Sequence, residues 1–215
     1  MNATKGVNGN LKLPSIKHAD TEKLTTITIV TAIIIIISCV FLPVVMIYIM
    51  QDVLFFSRSN WFLSAPTSAY FMFGFGMLWI PIILTALVIT KMVLEKSGKQ
   101  FKLTWLFSLL MLVFIPIMGL GIYNYYYFDD DGIHYNHLST YSETSYYWNE
   151  IQEIQPIEVE NNNGTTSIHE YIFITENGDE ITIPYHNDII TNRVRLNAVI
   201  DEYDIVMQDR ILKED

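Results

Sequence analysis

The chain has 215 residues, about half of them hydrophobic, and a formal net charge of −10. That average hides two unlike parts: residues 1–123 carry nine Lys/Arg against four acids, formally +5, and residues 124–215 carry four bases against 19 acids, formally −15. A surface at −15 repels nucleic acid and anionic lipid headgroups, and the lone cysteine, Cys39, excludes an intrachain disulfide and a cysteine zinc site.

A polar tail, residues 1–23, opens the chain and holds Lys5, Lys12, Lys17 and Lys23. Leu24 to Met50 is free of charge. Its run Ile33-Ile34-Ile35-Ile36-Ile37 alone would suit a buried strand, but about 20 apolar residues in a row predict a membrane-crossing helix. The leader is too long for a cleavable signal peptide and no small-x-small site follows the run, so a retained anchor is expected. Gln51–Pro66 is rich in Phe and Trp, with only Asp52 and Arg58 charged, and is expected to lie along the outer surface of the bilayer. A second span is predicted over about 69–90 and a third over about 103–123, which makes 24–123 a three-helix membrane region. Tyr48, Trp61, Tyr70, Trp105 and Tyr123 fall near the ends of these runs, where amphipathic rings favour the interface.

Lysines set the expected orientation. The tail has four, and the loop between spans two and three has Lys91, Lys96, Lys99 and Lys102, while the opposite side offers only Arg58 near the membrane. The tail is therefore expected in the cytoplasm of a multi-pass plasma-membrane protein, and the C-terminal domain outside the cell. Pro43, Pro81 and Pro116 sit within spans and are read as kinks. Gly74, Gly76, Gly119 and Gly121 allow close helix contact. No ionisable side chain lies mid-span, which argues against a pump or an ion-coupled transporter.

After the third span the apolar period becomes that of strands. Tyr123–Phe128 reads as a strand, Asp129-Asp130-Asp131-Gly132 as a hairpin turn with both Asp-Gly positions tolerating φ > 0, and Ile133–Leu138 as the return strand. Further strands are expected over Ser145–Trp148, Ile151–Val159, Ile168–Thr175 and Glu180–Tyr185, with turns at Asn161-Asn162-Asn163-Gly164 and at Asn177-Gly178. Pro156 marks an edge or a bulge. In the sixth strand, Ile181 and Ile183 should share one face. A helix capped by Asn187 or Asp188 should then run to about Asp204, with Ile190, Val194, Ala198, Ile200 and Tyr203 as its apolar stripe.

Three short signatures occur in order: Tyr126-Tyr127-Phe128-Asp129-Asp130-Asp131-Gly132-Ile133, Tyr146-Tyr147-Trp148-Asn149-Glu150-Ile151 and Ile172-Phe173-Ile174-Thr175-Glu176-Asn177-Gly178. Together they resemble bacterial pleckstrin-homology-like (PH-like) domains over roughly residues 123–204. The resemblance implies a curved antiparallel sheet capped by one C-terminal helix, attached to transmembrane helices, with roles in membrane-linked assembly, envelope stress or peptide resistance. Eukaryotic members that bind phosphoinositides use Lys and Arg around the first hairpin. Here that turn is Asp129-Asp130-Asp131-Gly132, which excludes phosphoinositide on charge.

Several side chains are weighed as sites. Asp129, Asp130 and Asp131 form an acidic turn with carboxylates suited to calcium, but the spacing of an EF-hand loop is missing, so a solvated turn is expected. His134 and His137 point to opposite faces of a strand and cannot share a metal, and His169 and His186 have no visible partners. Neither a metal centre nor a cofactor is expected, and no nucleophile elbow, P-loop, GxGxxG or HExxH occurs. Tyr125, Tyr126, Tyr127, Tyr146, Tyr147 and Trp148 make an aromatic zone, half of it core by strand alternation, from which Tyr126, Tyr147 and Trp148 are singled out as a binding surface. The expected function is a non-enzymatic one: the domain binds a protein or peptide, or the chain assembles with itself or a membrane partner. A small transporter accessory and a resistance protein against cationic membrane-active peptides are the rival readings.

Overall fold

The computed structural model describes residues 21–97, 104–138, 142–161 and 164–213. Most of the polar tail, Lys99, Lys102, and Asn162-Asn163 of the expected turn lie outside the described residues. Contacts divide the chain into two compact units, Met1–Cys39 with Met77–Phe114, and Val40–Gly76 with Ile115–Asp215.

Three helical stretches are long and apolar enough to cross a membrane: Thr25–Phe55, Thr67–Leu94 and Thr104–Ile122. The first lies in α1, Thr21–Phe55, and the second in α2, Thr67–Lys96, both longer than expected at either end. Pro43 and Pro81 sit inside these unbroken helices. The third stretch is two helices, α3 (Thr104–Leu112) and α4 (Phe114–Ile122), parted by a turn at Val113, where one continuous helix was expected. Pro116 accounts for the break: it has no amide to donate to the Leu112 carbonyl, and its ring crowds that oxygen. In the same unit the Leu110 carbonyl accepts both the Val113 amide (3.3 Å) and the Trp79 indole (2.8 Å), so backbone loosened by the break is paired again within apolar surroundings.

Much of the surface of α1 is apolar and exposed, Val40 and Phe41 among it, a surface that hydrocarbon but not water would solvate. Its second half buries Pro43, Ile47 and Gln51, four residues apart on one face. α2 answers with Ala69, Phe73 and Gly76. α4 comes closest to α2 at Gly121, where a Cβ would stand 2.8 Å from the Ala69 carbonyl oxygen and 2.9 Å from the Phe73 amide nitrogen. The Gln51 amide donates to the carbonyls of Ile122 and Asn124, each at 3.0 Å, and the buried Asn124 side chain donates to Ser68 Oγ at 2.7 Å. These bonds tie the ends of all three stretches together where the strands begin.

Gln51–Pro66 does not behave as one surface-lying segment. α1 continues through its first five residues, and Phe62–Ser64 is a strand, β1. The four-stranded first sheet has the order β1-β2-β3-β4, all antiparallel, with β2 Tyr125–Phe128, β3 Gly132–Asn136 and β4 Thr144–Tyr147. Pairing of Phe62 with Phe128 requires the segment after α1 and the chain after α4 to lie on one side of any membrane they border, as two intervening crossings demand.

A 3-10 turn, Trp148–Glu150, leads into the second sheet of β5 (Ile151–Glu160), β6 (Thr166–Thr175) and β7 (Glu180–Pro184). Ile181 and Ile183 are buried in strict alternation with exposed neighbours, as expected. The chain then forms α5 (Asn187–Thr191) and α6 (Arg193–Glu202), followed by two short strands, β8 (Val206–Met207) and β9 (Ile211–Leu212), both parallel to β5. Those last two strands had no sequence assignment. Pro156 lies between the stretches of β5 that pair with β8 and β9, beside a register shift at Ile157/Glu158. A residue without an amide donor is tolerated there.

Two helices replace the single expected one. The cap is His186, whose Nδ1 accepts the Asp188 amide at 3.2 Å, in place of Asn187 or Asp188. The apolar stripe also differs: Ile189, Leu196 and Val199 are buried, whereas Ile190 and Val194 (81% exposed) face outward. The interruption at Asn192 resets the helical phase that the expected stripe carried through unbroken. Ile189, Leu196, Val199 and Ile205 close one core with Tyr126, Phe128, Ile133, Trp148, Ile154, Phe173 and Ile183.

The two turn glycines Gly164 and Gly178 take the left-handed backbone expected of them, with φ of +77° and +83°. Gly132 does not. It lies in β3, where a Cβ would strike the Tyr146 carbonyl oxygen and stand 2.9 Å from Tyr147 Cα, so the absence of a side chain admits a neighbouring strand and not a tight turn.

Candidate functional site: an arginine-lined cleft

The site is built by three pieces of the second unit. The chain leaves α1 at Phe55 and turns through Ser57–Asn60, where the Asn60 amide donates to the Ser57 carbonyl at 3.2 Å. This turn carries Arg58 and delivers Trp61, whose own amide donates to the Phe128 carbonyl at 2.7 Å. The Trp61 indole stacks on Trp148, with centroids 5.6 Å apart and planes at 16°, and its Nε1 donates to Asp130 Oδ1 at 2.7 Å. α6 presents Arg195, Ala198, Val199 and Glu202, a spacing that places all four on one helical face. Together Arg58, Ser59, Trp61, Asp130 and this face of α6 line a cleft of about 500 Å³.

Its charge is unusual for its setting. Arg210 and Lys213 are taken by Glu158 (2.8 Å) and Glu170 (3.4 Å). Neither Arg58 nor Arg195 makes an ion pair among the described residues; the Arg195 guanidinium instead lies 6.0 Å from the centre of the Trp61 ring. Such a cation over an aromatic face contributes about 0.5–1 kcal/mol when exposed. It leaves the guanidinium donors open.

Of the three aromatic residues expected to form a binding surface, Tyr126 (1% exposed) and Trp148 (0%) belong to the core, and only Tyr147 (49%) presents its ring to solvent. Tyr126 and Trp148 therefore cannot touch a partner directly. Trp148 donates its indole N–H to the Asp129 carbonyl at 3.0 Å, and Tyr126 shares a 2.6 Å hydrogen bond with His186 Nε2. Desolvation pushes the Tyr126 hydroxyl well above the usual tyrosine range. Burial, with help from the Glu143 carboxylate, pushes Tyr125 up to about 12. Tyr125 and Tyr127 each donate to one oxygen of Glu143 at 3.0 Å.

The acidic turn is structural. Asp129 Oδ1 accepts the amides of Asp131 (2.9 Å) and Gly132 (3.1 Å) and faces His134 Nε2 at 3.0 Å. Asp130 holds Trp61. Among the described residues no group of three His, Cys, Asp or Glu side chains gathers as a metal ion would need. Asp129, His134 and Ser145 do fall in the order of an acyl-transfer relay, with His134 Nδ1 2.8 Å from Ser145 Oγ. The Tyr127 ring stacks on the imidazole at 4.5 Å, and His134 is 8% exposed.

His186 was expected to stand alone, but it bridges Tyr126 and the first turn of α5. Burial lowers its pKa from the usual histidine value of 6.5, partly opposed by the Asp188 carboxylate. The folded state therefore prefers the neutral ring, whose Nδ1 lone pair accepts the Asp188 amide. The stabilisation is complete above the unfolded-state value and is lost as pH falls through the depressed folded value. The thermal midpoint of the C-terminal domain should accordingly fall on acidification below about pH 6.5, and less steeply in His186→Asn, which keeps an acceptor that does not titrate. Replacement by alanine should cost about 1 kcal/mol at neutral pH through loss of the cap. Equal pH slopes for wild type and His186→Asn would count against this role.

No family model, curated protein or solved structure matches this chain. The site must be read from its own chemistry. Arg58 had signified orientation only, Trp61 an interfacial ring, and Arg195 one of four bases. The available signal was the scarcity of positive charge in residues 124–215, together with Arg58, outside them, three residues before a tryptophan.

Proposed function

We propose that this chain is a non-enzymatic integral membrane protein whose mostly-β domain, PH-like in plan, binds a protein or peptide on the outer side of the plasma membrane. The observation that carries the reading is the cleft: two arginines without ion-pair partners among the described residues, an aromatic floor and an apolar wall, beside a C-terminal part that is otherwise strongly negative. A cleft of several hundred cubic ångströms with a few convergent polar groups is the usual form of a binding site.

Two antiparallel sheets closed by a C-terminal helical segment support the PH-like plan. The paired helices, the trailing parallel strands and the strand β1 contributed from between two spans depart from it. The excess of lysines flanking the opposite face supports the outward placement of the domain. Pro43 and Pro81 lie in unbroken helices, which favours a structural role for them over a transport pathway.

Photocrosslinking from positions 147 and 198 in intact cells tests the proposal. Discrete protein or peptide adducts are expected, and external protease should release them with the C-terminal domain. Adducts to lipid alone, or none from either position, would overturn it.

A further inference from the structure

We infer that the Arg58/Arg195 cleft recognises the carboxylate of an extended peptide with an apolar side chain beside it. The inference rests on the binding function proposed above and deepens it by naming the ligand chemistry. Four observations converge. Arginine presents a planar fork of N–H donors that matches a carboxylate in bidentate fashion. Two such groups line one cleft, and neither is committed to an acid among the described residues. Elsewhere in the domain, Arg210 and Lys213 do hold carboxylates, whereas Asp130 and Glu202 share the cleft with the two arginines without forming an ion pair with either among the described residues. Finally, Ala198, Val199 and the Trp61 ring supply an apolar wall next to the charges.

The rest of the lining selects among anions. Asp130 and Glu202 share the cleft with the two arginines, so its lining is formally neutral as a whole. A multiply charged phosphate would meet both acids unfavourably. A peptide brings one negative group together with backbone N–H donors, which Asp130 and Glu202 can accept. At about 500 Å³ the space also exceeds a single anionic group. Arg58 lies three residues beyond α1, at most about 11 Å of extended chain, so the peptide would be bound close to the membrane end of the domain.

The test uses the full chain in nanodiscs of zwitterionic lipid and three hexapeptide libraries. One has free C-terminal carboxylates and no Asp or Glu. The second is amidated and contains Asp and Glu. The third is amidated without either. Retention of the first or second library at least tenfold above the third is expected, and which one is retained identifies a chain terminus or a side chain as the source. Arg58→Gln should abolish that preference while leaving the thermal midpoint unchanged, Arg195→Gln should abolish it while lowering the midpoint only by the small loss of its contact with Trp61, and Arg195→Lys should restore it in part. Equal retention of all three libraries, or no retention, would overturn the inference, as would a preference that survives both glutamine variants. Displacement of bound peptide by adding anionic phospholipid to the discs would also overturn it and assign the cleft to a lipid headgroup. Protein crosslinks from positions 147 and 198 that persist in both glutamine variants would leave the general binding function standing while removing this ligand.

Discussion

Trp148→Ala should unfold the C-terminal domain at a much lower temperature than wild type. The indole has no exposure and touches Trp61 and Phe128, so its removal deletes the centre of the domain core. Losses of about 3–5 kcal/mol are typical for truncating a buried tryptophan. Two further consequences follow from the geometry. The Asp129 carbonyl loses its 3.0 Å donor, and Trp61 loses the ring beneath it. Trp148→Phe separates these terms: it keeps much of the apolar area but leaves that carbonyl without its donor, at a cost of about 1–3 kcal/mol. Near-UV circular dichroism in detergent would follow both. A midpoint for Trp148→Ala within a degree of wild type would contradict the assignment of this residue to the core.

The second large effect is expected at Gly132. A methyl group there would overlap the Tyr146 carbonyl oxygen, which is backbone held in the β3–β4 ladder and has no rotamer through which to escape. Gly132→Ala should therefore separate the two strands, costing about 3 kcal/mol, the upper end of ordinary overpacking. Gly178→Ala is the useful contrast. Nothing lies within 4 Å of its added methyl, and only its φ of +83° resists substitution. A left-handed alanine costs roughly 1–2 kcal/mol. Thermal midpoints should rank wild type, Gly178→Ala and Gly132→Ala from highest to lowest. A reversed order would mean that the turn and not the strand approach limits stability.

How much of this was visible beforehand depended on the range of the interaction. The three apolar runs and the alternation of Ile181 and Ile183 are local patterns, and they were legible. Asn-Gly at 177–178 was legible for the same reason. Gly132 misled because Asp-Gly has a strong local meaning, while its actual constraint comes from Tyr146, far along the chain. The stripe of Ile190 and Val194 failed through one unforeseen break at Asn192, since a shift of phase moves every later side chain to another face. Strand β1 was hidden because three residues among aromatic neighbours carry no period, and their partner lies beyond two spans. The cleft was invisible for a related reason: Arg58 and Arg195 are brought together only by the fold. Among the aromatic residues, alternation indicated that half would be core but not which half. Tyr126 and Trp148 fell inside and Tyr147 outside.

The placement of β1 bears on how the protein is made. Phe62–Ser64 leaves the ribosome more than sixty residues before its partner Tyr126–Phe128. The first sheet cannot close until two further spans have been threaded through the bilayer and both strands stand on the same side. A chain that inserts with one span missing would strand them on opposite sides, leave β2 with a bare edge and uncover the indole of Trp148. Closure of this sheet thus depends on correct threading, and a misthreaded chain keeps an unpaired strand edge open to aggregation.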